Sequence, residues 1–215
     1  MPYSSEHKAR TRERIVNAAR RLFNRHGFEQ VSIDRVMLEA GLTRGGFYHH
    51  FGSKDELYAA AVASFTNCNP FRAEFDNSPP PAPGALARML LDVYLSDRVF
   101  DDVDAHCPLY ALPGDVARAG LSPQKAYTQL IRNLTHIYAS ALAGQPDGIE
   151  RAQAIVSLCV GGMVLARTTD DPVLRHSLRR SAHQQALALL GNEAPANEGQ
   201  SQITEHDLEI NSSAA

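Results

Sequence analysis

The chain has 215 residues, 44% of them hydrophobic and 21% charged, with a formal net charge of −3. That length and composition suit one large or two modest folded domains with a substantial core, and they exclude a largely disordered chain. No uninterrupted apolar run approaches roughly 18 residues and the first residues, MPYSSEHKARTRERI, lack the apolar stretch of a signal peptide, so no membrane partner and a cytoplasmic location are expected.

Helical periodicity dominates throughout, with little period-2 alternation, and predicts an all-α fold. Ile15, Ala18, Ala19, Leu22 and Phe23 form one apolar stripe that Gly27 stops, so the first helix runs from about Lys8 to His26. Ser32 reads as the cap of a short second helix, with Asp34 near its positive end, that stops at Gly41. Thr43 reads as the cap of a third helix, closed by Gly52, and Ser53-Lys54-Asp55-Glu56 as a capping box for a long helix through Leu57, Ala61 and Phe65.

Beyond it, SPPPAP at 78–83 is a stiff connector. Residues 84–100 read as one helix, and 106–120 as helix interrupted at Pro113-Gly114. Ser122 reads as a cap, with Pro123 first in a helix to about Ala143. Pro146 to Arg167 and Pro172 to Leu190 are the last two helices. The expected division is a three-helix head at 1–52, a connecting helix and linker at 53–83, a larger helical body at 84–191, and a disordered tail at 192–215.

Charge is uneven along this order. Residues 1–60 carry ten Lys+Arg against seven Asp+Glu, and the rest carry eleven against seventeen. A basic head on an acidic body fits a nucleic-acid-binding end. Helices two and three, joined by a short turn around Gly41, have helix-turn-helix form, in which the second helix enters the major groove by its N-terminal end. Gly45 and Gly46 at that end would let the backbone approach a duplex, where free N–H groups and the helix dipole attract phosphate. Arg44 is placed to pair with guanine or phosphate, and Thr43, Tyr48, His49 and Lys54 to hold phosphate.

The stretch ERIVNAARRLFNRHGFEQVSIDRVMLEAGLTRGGFYHHFGSKDELYAAAV resembles the DNA-binding domain of the TetR family of transcriptional regulators, over about residues 8–65. The features that carry it are Ala-Ala-x-x-Leu-Phe, Gly27-Phe28, the Ala-Gly-Leu turn, Gly45-x-Phe-Tyr-x-His-Phe and Ser-Lys-Asp-Glu-Leu. The resemblance implies DNA contacts at Ser32, Thr43, Arg44, Gly45, Gly46, Tyr48, His49 and Lys54. Gly46 departs from the small side chain common there. The resemblance further implies a ligand-binding, dimerising body and a repressor that binds a palindromic operator as a homodimer and leaves it when a small-molecule effector binds.

Within the body, Ile155, Leu158, Cys159, Gly162, Met163 and Ala166, and on the last helix Leu174, Leu178, Ala182, Ala186 and Leu189, form stripes suited to homodimer pairing or to an internal core. Gly161 and Gly162 would permit close helix approach. Candidate ligand-binding residues are Phe65, Phe71, Phe75, Met89, Tyr94, Phe100, His106, Cys107, Tyr110, Tyr127 and His136. Cys107, at a helix start beside His106, is a candidate thiolate sensor of electrophiles or oxidants; the alternative is an inert buried cysteine.

Three cysteines without CxxC spacing argue against a structural metal site or a disulfide framework. No metal or cofactor is expected. With no nucleophile elbow, HExxH or phosphate-cradling loop, no catalytic residues are assigned and an enzyme is not expected. The remaining alternative is a helical protein-interaction adaptor without DNA binding.

Overall fold

The computed structural model describes residues 5–65 and 81–191, and every regular element among them is helical. The all-α expectation holds. Cys68, Phe71, Phe75, the first half of the proline connector (78–80) and the tail expected to be disordered (192–215) lie outside the described residues.

The head comprises α1 (Ser5–His26), α2 (Ile33–Glu39), a 3-10 segment (Arg44–His49) and α3 (Lys54–Ser64). The body holds α4 (Pro83–Tyr94), α5 (Asp97–Asp101), a 3-10 turn (Val103–Ala105), α6 (Pro108–Ala111), α7 (Pro113–Arg118), α8 (Leu121–Ala141), α9 (Gly148–Thr168) and α10 (Pro172–Leu190).

Local chemistry sets the boundaries in the head. Gly27 adopts φ 74° and stops α1, as its position predicts. At the end of α2, Gly41 adopts φ 66°. Its N–H donates to Leu38 O at 2.9 Å while Leu42 N–H donates to Met37 O at 2.8 Å, the paired bonds of a Schellman stop. Ser32 caps α2 by accepting from Arg35 N–H at 3.2 Å. Ser53 accepts from Glu56 N–H at 3.1 Å, but Glu56 reaches back to Gly52 N–H at 2.7 Å. The capping box is thus displaced by one residue.

Several sequence expectations are corrected. Thr43 occupies a cap position, yet its hydroxyl makes no capping bond, because the next segment is tight 3-10 turn closed by Gly46 N–H to Thr43 O. The single helix expected at 84–100 is two, because Ser96 caps a new start by accepting from Val99 N–H at 3.3 Å. The helix expected from Ser122 begins at Leu121 with Gly120 at the cap, so Pro123 lies inside the first turn, where no backbone N–H is required. The helix expected from Pro146 begins at Gly148.

Two apolar cores result. One joins α1, α2, the 3-10 segment and α3 through Ile15, Phe23, Met37, Phe47, Leu57 and Tyr58, and Leu112 and Val116 of the body complete it. The other fills the space among α4, α6, α8, α9 and α10 with Leu91, Tyr94, Leu109, Tyr138, Ile155 and Met163. Buried Arg179 on α10 braces this body by donating to Leu95 O at 3.1 Å, pairing with Asp97 and lying 4.3 Å from the Phe100 ring.

One expectation about membranes needs revising. Over α9 an 18-residue window reaches a mean hydropathy of 1.4, enough by length and composition alone to span a bilayer. Counting only unbroken apolar runs missed this, because Ser157, Gly161 and Gly162 interrupt the run without adding charge. In this fold, α9 puts Ala152, Ile155, Cys159, Met163 and Ala166 into the protein core.

The two adjacent glycines of α9 differ. A Cβ at Gly162 would lie 2.7 Å from Ala182 Cβ, whereas one at Gly161 would meet nothing within 4 Å. Only Gly162 therefore sets the α9–α10 approach within this chain. Urea unfolding of Gly162→Ala should show a loss of about 1–3 kcal/mol from overpacking. Gly161→Ala should not destabilise the isolated chain, since helix propensity favours alanine by about 1 kcal/mol. Equal effects at both positions would contradict this packing.

Candidate functional site: an exposed helix tip and a buried cavity

The 3-10 segment Arg44–His49 is anchored from beneath and bare on top. Phe47 is fully buried, stacks on Phe51 at 5.8 Å and meets Tyr48 edge-on at 5.2 Å. Tyr48 itself is 61% exposed, and Thr43, Arg44, Gly45 and His49 are exposed beside it.

A Cβ at Gly45 would meet nothing within 4 Å, and one at Gly46 would make only an ordinary 3.7 Å contact with Met37 Cε. Neither glycine has positive φ. Neither packing nor backbone conformation calls for glycine here, although it weakens a helix by about 1 kcal/mol relative to alanine.

The charges around the tip are positioned by the head. Arg44 pairs with exposed Asp34 of α2 at 2.8 Å, a contact of small energetic worth. Lys54, half-buried, rests 4.1 Å from the Phe28 ring centre, and Arg12 lies 4.5 Å from that of Phe51. His50 is held below the usual histidine range by burial, and then by the positive charges of Lys8, His49 and Arg12. The start of α1 and the tip therefore share one positive field. Ser32, exposed at the cap of α2, completes the set of expected contacts on the head.

The head also has counterparts among known proteins. Residues 15–61 match the model of the bacterial regulatory proteins, tetR family. Over those residues the head has the form of a TetR-family DNA-binding domain. Among curated relatives, a transcriptional repressor of Mycobacterium tuberculosis, Rv1474c, is 37% identical over 63 residues, which are 29% of this chain and 34% of that protein. The AcnR repressor of Corynebacterium glutamicum is 40% identical over 50 residues, 23% of this chain and 27% of that one. The match thus spans about a third or less of these repressors. An uncharacterised regulator of Lactococcus lactis aligns over 75% of this chain and 85% of its own length at 26% identity.

Solved structures share the whole fold. A TetR-family regulator from Agrobacterium tumefaciens superposes with a TM-score of 0.66 at 17% identity, covering 83% of this chain and 98% of that one. A TetR regulator from Legionella pneumophila gives 0.64 at 20% identity, covering 86% and 99%.

A partly open apolar cavity of about 110 Å³ lies among α4, α6 and α8 of the body and the end of α3. Of the residues the sequence singled out, Phe65, Tyr94 and Cys107 line it. The other described candidates lie elsewhere. Met89 is on the exposed side of α4, opposite Ala87, Leu90 and Tyr94. Tyr110 packs behind the wall, edge-on to Tyr94 at 5.5 Å, and His106 packs against Tyr110 while its Nε2 bonds Phe100 O at 2.9 Å. Tyr127 spends its hydroxyl on Leu109 O at 2.7 Å, and His136 lines a separate surface groove.

Sequence reasoning missed Leu90, Leu109 and the α8 face that carries Leu130, Asn133, Leu134, Ile137 and Tyr138. The 3.6-residue period of α8 held the signal, since these positions recur at intervals of three and four. Tyr138 is fully buried and its hydroxyl, beside the Cys159 sulfur, has no oxygen or nitrogen partner.

Cys107 does stand at the start of α6, but its side chain is enclosed and caps nothing. Burial pushes its thiol up to about 12, and burial likewise lowers His106, removing the imidazolium that would have stabilised a thiolate. The thiolate-sensor expectation is therefore corrected for this conformation; Cys107 is a neutral wall residue. In a Cys68→Ser background, a thiol reagent at about pH 8 should leave Cys107 and Cys159 unlabelled until urea unfolds the chain. Rapid labelling of the folded protein would show the wall to be open. Because the folded thiols titrate above the ordinary 9.0, the stability they confer is intact below that pH and drains away between 9.0 and about 12.

Proposed function

We propose that this protein is a cytoplasmic transcriptional repressor that binds an inverted-repeat operator as a homodimer and is released by a small neutral effector. The observation that carries the reading is the tip. Gly45 leaves open space above exposed backbone, flanked by Arg44, Tyr48 and His49, in a head whose architecture has no internal use for that opening. A duplex would use it, because phosphate oxygens need close approach to main-chain N–H groups.

On this reading the head (1–52), together with Lys54 at the start of the connecting helix, makes the DNA contacts. Arg44 reads a base or clamps a phosphate; Ser32, Thr43, Tyr48, His49 and Lys54 fix register on the backbone; Gly45 and Gly46 admit it. The connecting segment (53–83) joins it to a body (84–191) that senses and pairs. The relatives named as repressors support the sign of regulation, since a dimer seated on a promoter obstructs polymerase without further contacts. No catalytic role is assigned.

The cavity supports an effector without net charge. Its lining offers aromatic and aliphatic surface, neutral Cys107, the Asn133 amide and the Tyr94 and Tyr138 hydroxyls, with no ionised side chain. A ligand with an apolar body and a hydrogen-bonding group for Tyr138 would give a buried hydroxyl, otherwise facing only the Cys159 sulfur, a stronger partner.

Pairing is proposed through α9 and α10. Their outer surface exposes Leu165, Val173 and Leu174 while their inner faces are consumed by the chain's own core. Outward-facing Gly161 allows a partner helix to approach closely. Two tips about one helical turn of DNA apart, or a multiple of it, would then demand a two-fold symmetric site.

Selection from a random duplex library should converge on an inverted repeat, and binding to it should fall steeply with salt, with a log–log slope of about −0.9 per phosphate contacted. Gly45→Ala should leave the fold at least as stable in urea yet weaken this binding by about tenfold or more, roughly 1.4 kcal/mol. Failure to enrich any duplex, or full binding by Gly45→Ala, would remove the tip from the account.

Analytical ultracentrifugation should find a dimer at micromolar concentration, and Val173→Glu with Leu174→Glu should give folded monomers. A wild-type monomer, or a dimer that survives both charges, would refute pairing through these helices.

A further inference from the structure

A second site stands out on the body, away from the cavity. Between the α6–α7 corner and the C-terminal end of α9 lies a groove of about 320 Å³. Arg167 of α9 enters it half-buried. Its guanidinium donates to Tyr110 O at 3.2 Å and sits 5.8 Å from the Tyr110 ring centre, and no described carboxylate lies within ion-pair reach. Burial lowers its pKa, the sign of a charge taken partly out of water without a matching anion. A main-chain oxygen compensates a buried guanidinium only in part.

On the other side stands Arg118, largely exposed and paired with Asp115 at 3.0 Å. Asp115 is the acidic group lining the groove, and its second oxygen accepts from Phe28 N–H at 3.0 Å. Both of its oxygens are therefore engaged. Two guanidinium groups thus line one concavity whose acidic group is already occupied.

We propose that this groove binds a small organic anion, a carboxylate or a phosphate monoester, with Arg167 as its principal partner and Arg118 as the second. The fork of a guanidinium matches the two oxygens of either group. The site goes beyond the neutral-effector reading of the cavity and does not depend on it. It also touches the head, because Asp115 forms part of the groove and holds the turn after α1.

Thermal melting of the full chain tests the proposal, with sodium chloride replaced stepwise by sodium benzoate, or by sodium phosphate, at constant ionic strength. The melting temperature should rise saturably in the wild type and in Arg132→Met, whose exposed guanidinium lies on another face, and not in Arg167→Met. Arg118→Ala should weaken the response. Equal rises in wild type and Arg167→Met, or no rise in either, would overturn it. A dissociation of dimers by Arg167→Met without any anion response would overturn it in favour of a carboxylate from a second copy. If Arg167→Met does not melt cooperatively, phenylglyoxal modification of the wild type decides. Benzoate should slow the reaction at Arg167 relative to Arg132, and equal rates would end the proposal.

Discussion

The head and the body are tied by the grip of α1 on a short stretch of chain around Asp104. Arg25 meets Asp104 with two parallel bonds of 2.6 Å, Arg20 donates to Asp104 O at 2.6 Å, and buried Asn24 donates to His106 O at 3.0 Å. The ion pair alone would be worth little at its exposure. Asn24 is different, since losing a partner for a buried amide costs about 1–3 kcal/mol. The grip matters because the gripped stretch runs straight into the cavity wall: Cys107 and Leu109 come directly after His106 in the chain. On the proposed reading, a ligand that displaced those walls would pull on α1, the helix to which the head is packed. Two conformations that differ in this grip would differ in tip placement, which is what differential ligand affinity requires.

The glycines make the functional argument sharper than shape alone does. At Gly27 and Gly41 the backbone has positive φ, and at Gly162 a neighbouring helix stands too close for a side chain. Each of these is explained from within. Gly45 has neither reason. It loses helix stability, and the compensation has to come from outside the chain. Lys8 and Arg12 also place positive charge near His50, a few residues further along, which fits an anionic partner.

Much of the head could be read from the sequence because its signals are local. Serine caps at 32 and 53, glycine stops at 27 and 41, and the Phe47–Phe51 pair each act within one turn of chain, so spacing alone reveals them. The body was less legible. Its helices were found, but the cavity depends on which faces of α4 and α8 meet, a long-range fact. Choosing aromatic and histidine residues by type brought in Met89 and His136, which face outward, and passed over Leu130, Leu134 and Tyr138, which the period of α8 sets on one face. Cys107 shows the same limit from another side. Its place at a helix start was visible, and its burial was not; burial decides the charge state.

The cavity and the Arg167 groove of the body differ in the charge of their linings. Inside the cavity every ionisable lining group is held in its neutral form: burial pushes Cys107 up to about 12 and raises Tyr94 and Tyr138 well above the ordinary phenol range. An ion entering there would lose its water and find no counter-charge, a cost of several kcal/mol that hydrogen bonds to two phenols would not offset. The groove at Arg167 has the reverse character, with cationic side chains and a half-buried charge already partly stripped of water. An anion arriving there releases that penalty and meets little competition, because Asp115 is engaged on both oxygens. Since Tyr110 and Leu112 in the groove come just after Cys107 and Leu109 of the cavity wall along a few residues of chain, occupancy of either space bears on the short segment that α1 grips. A neutral and an anionic molecule could therefore act on one mechanical element without competing for the same volume.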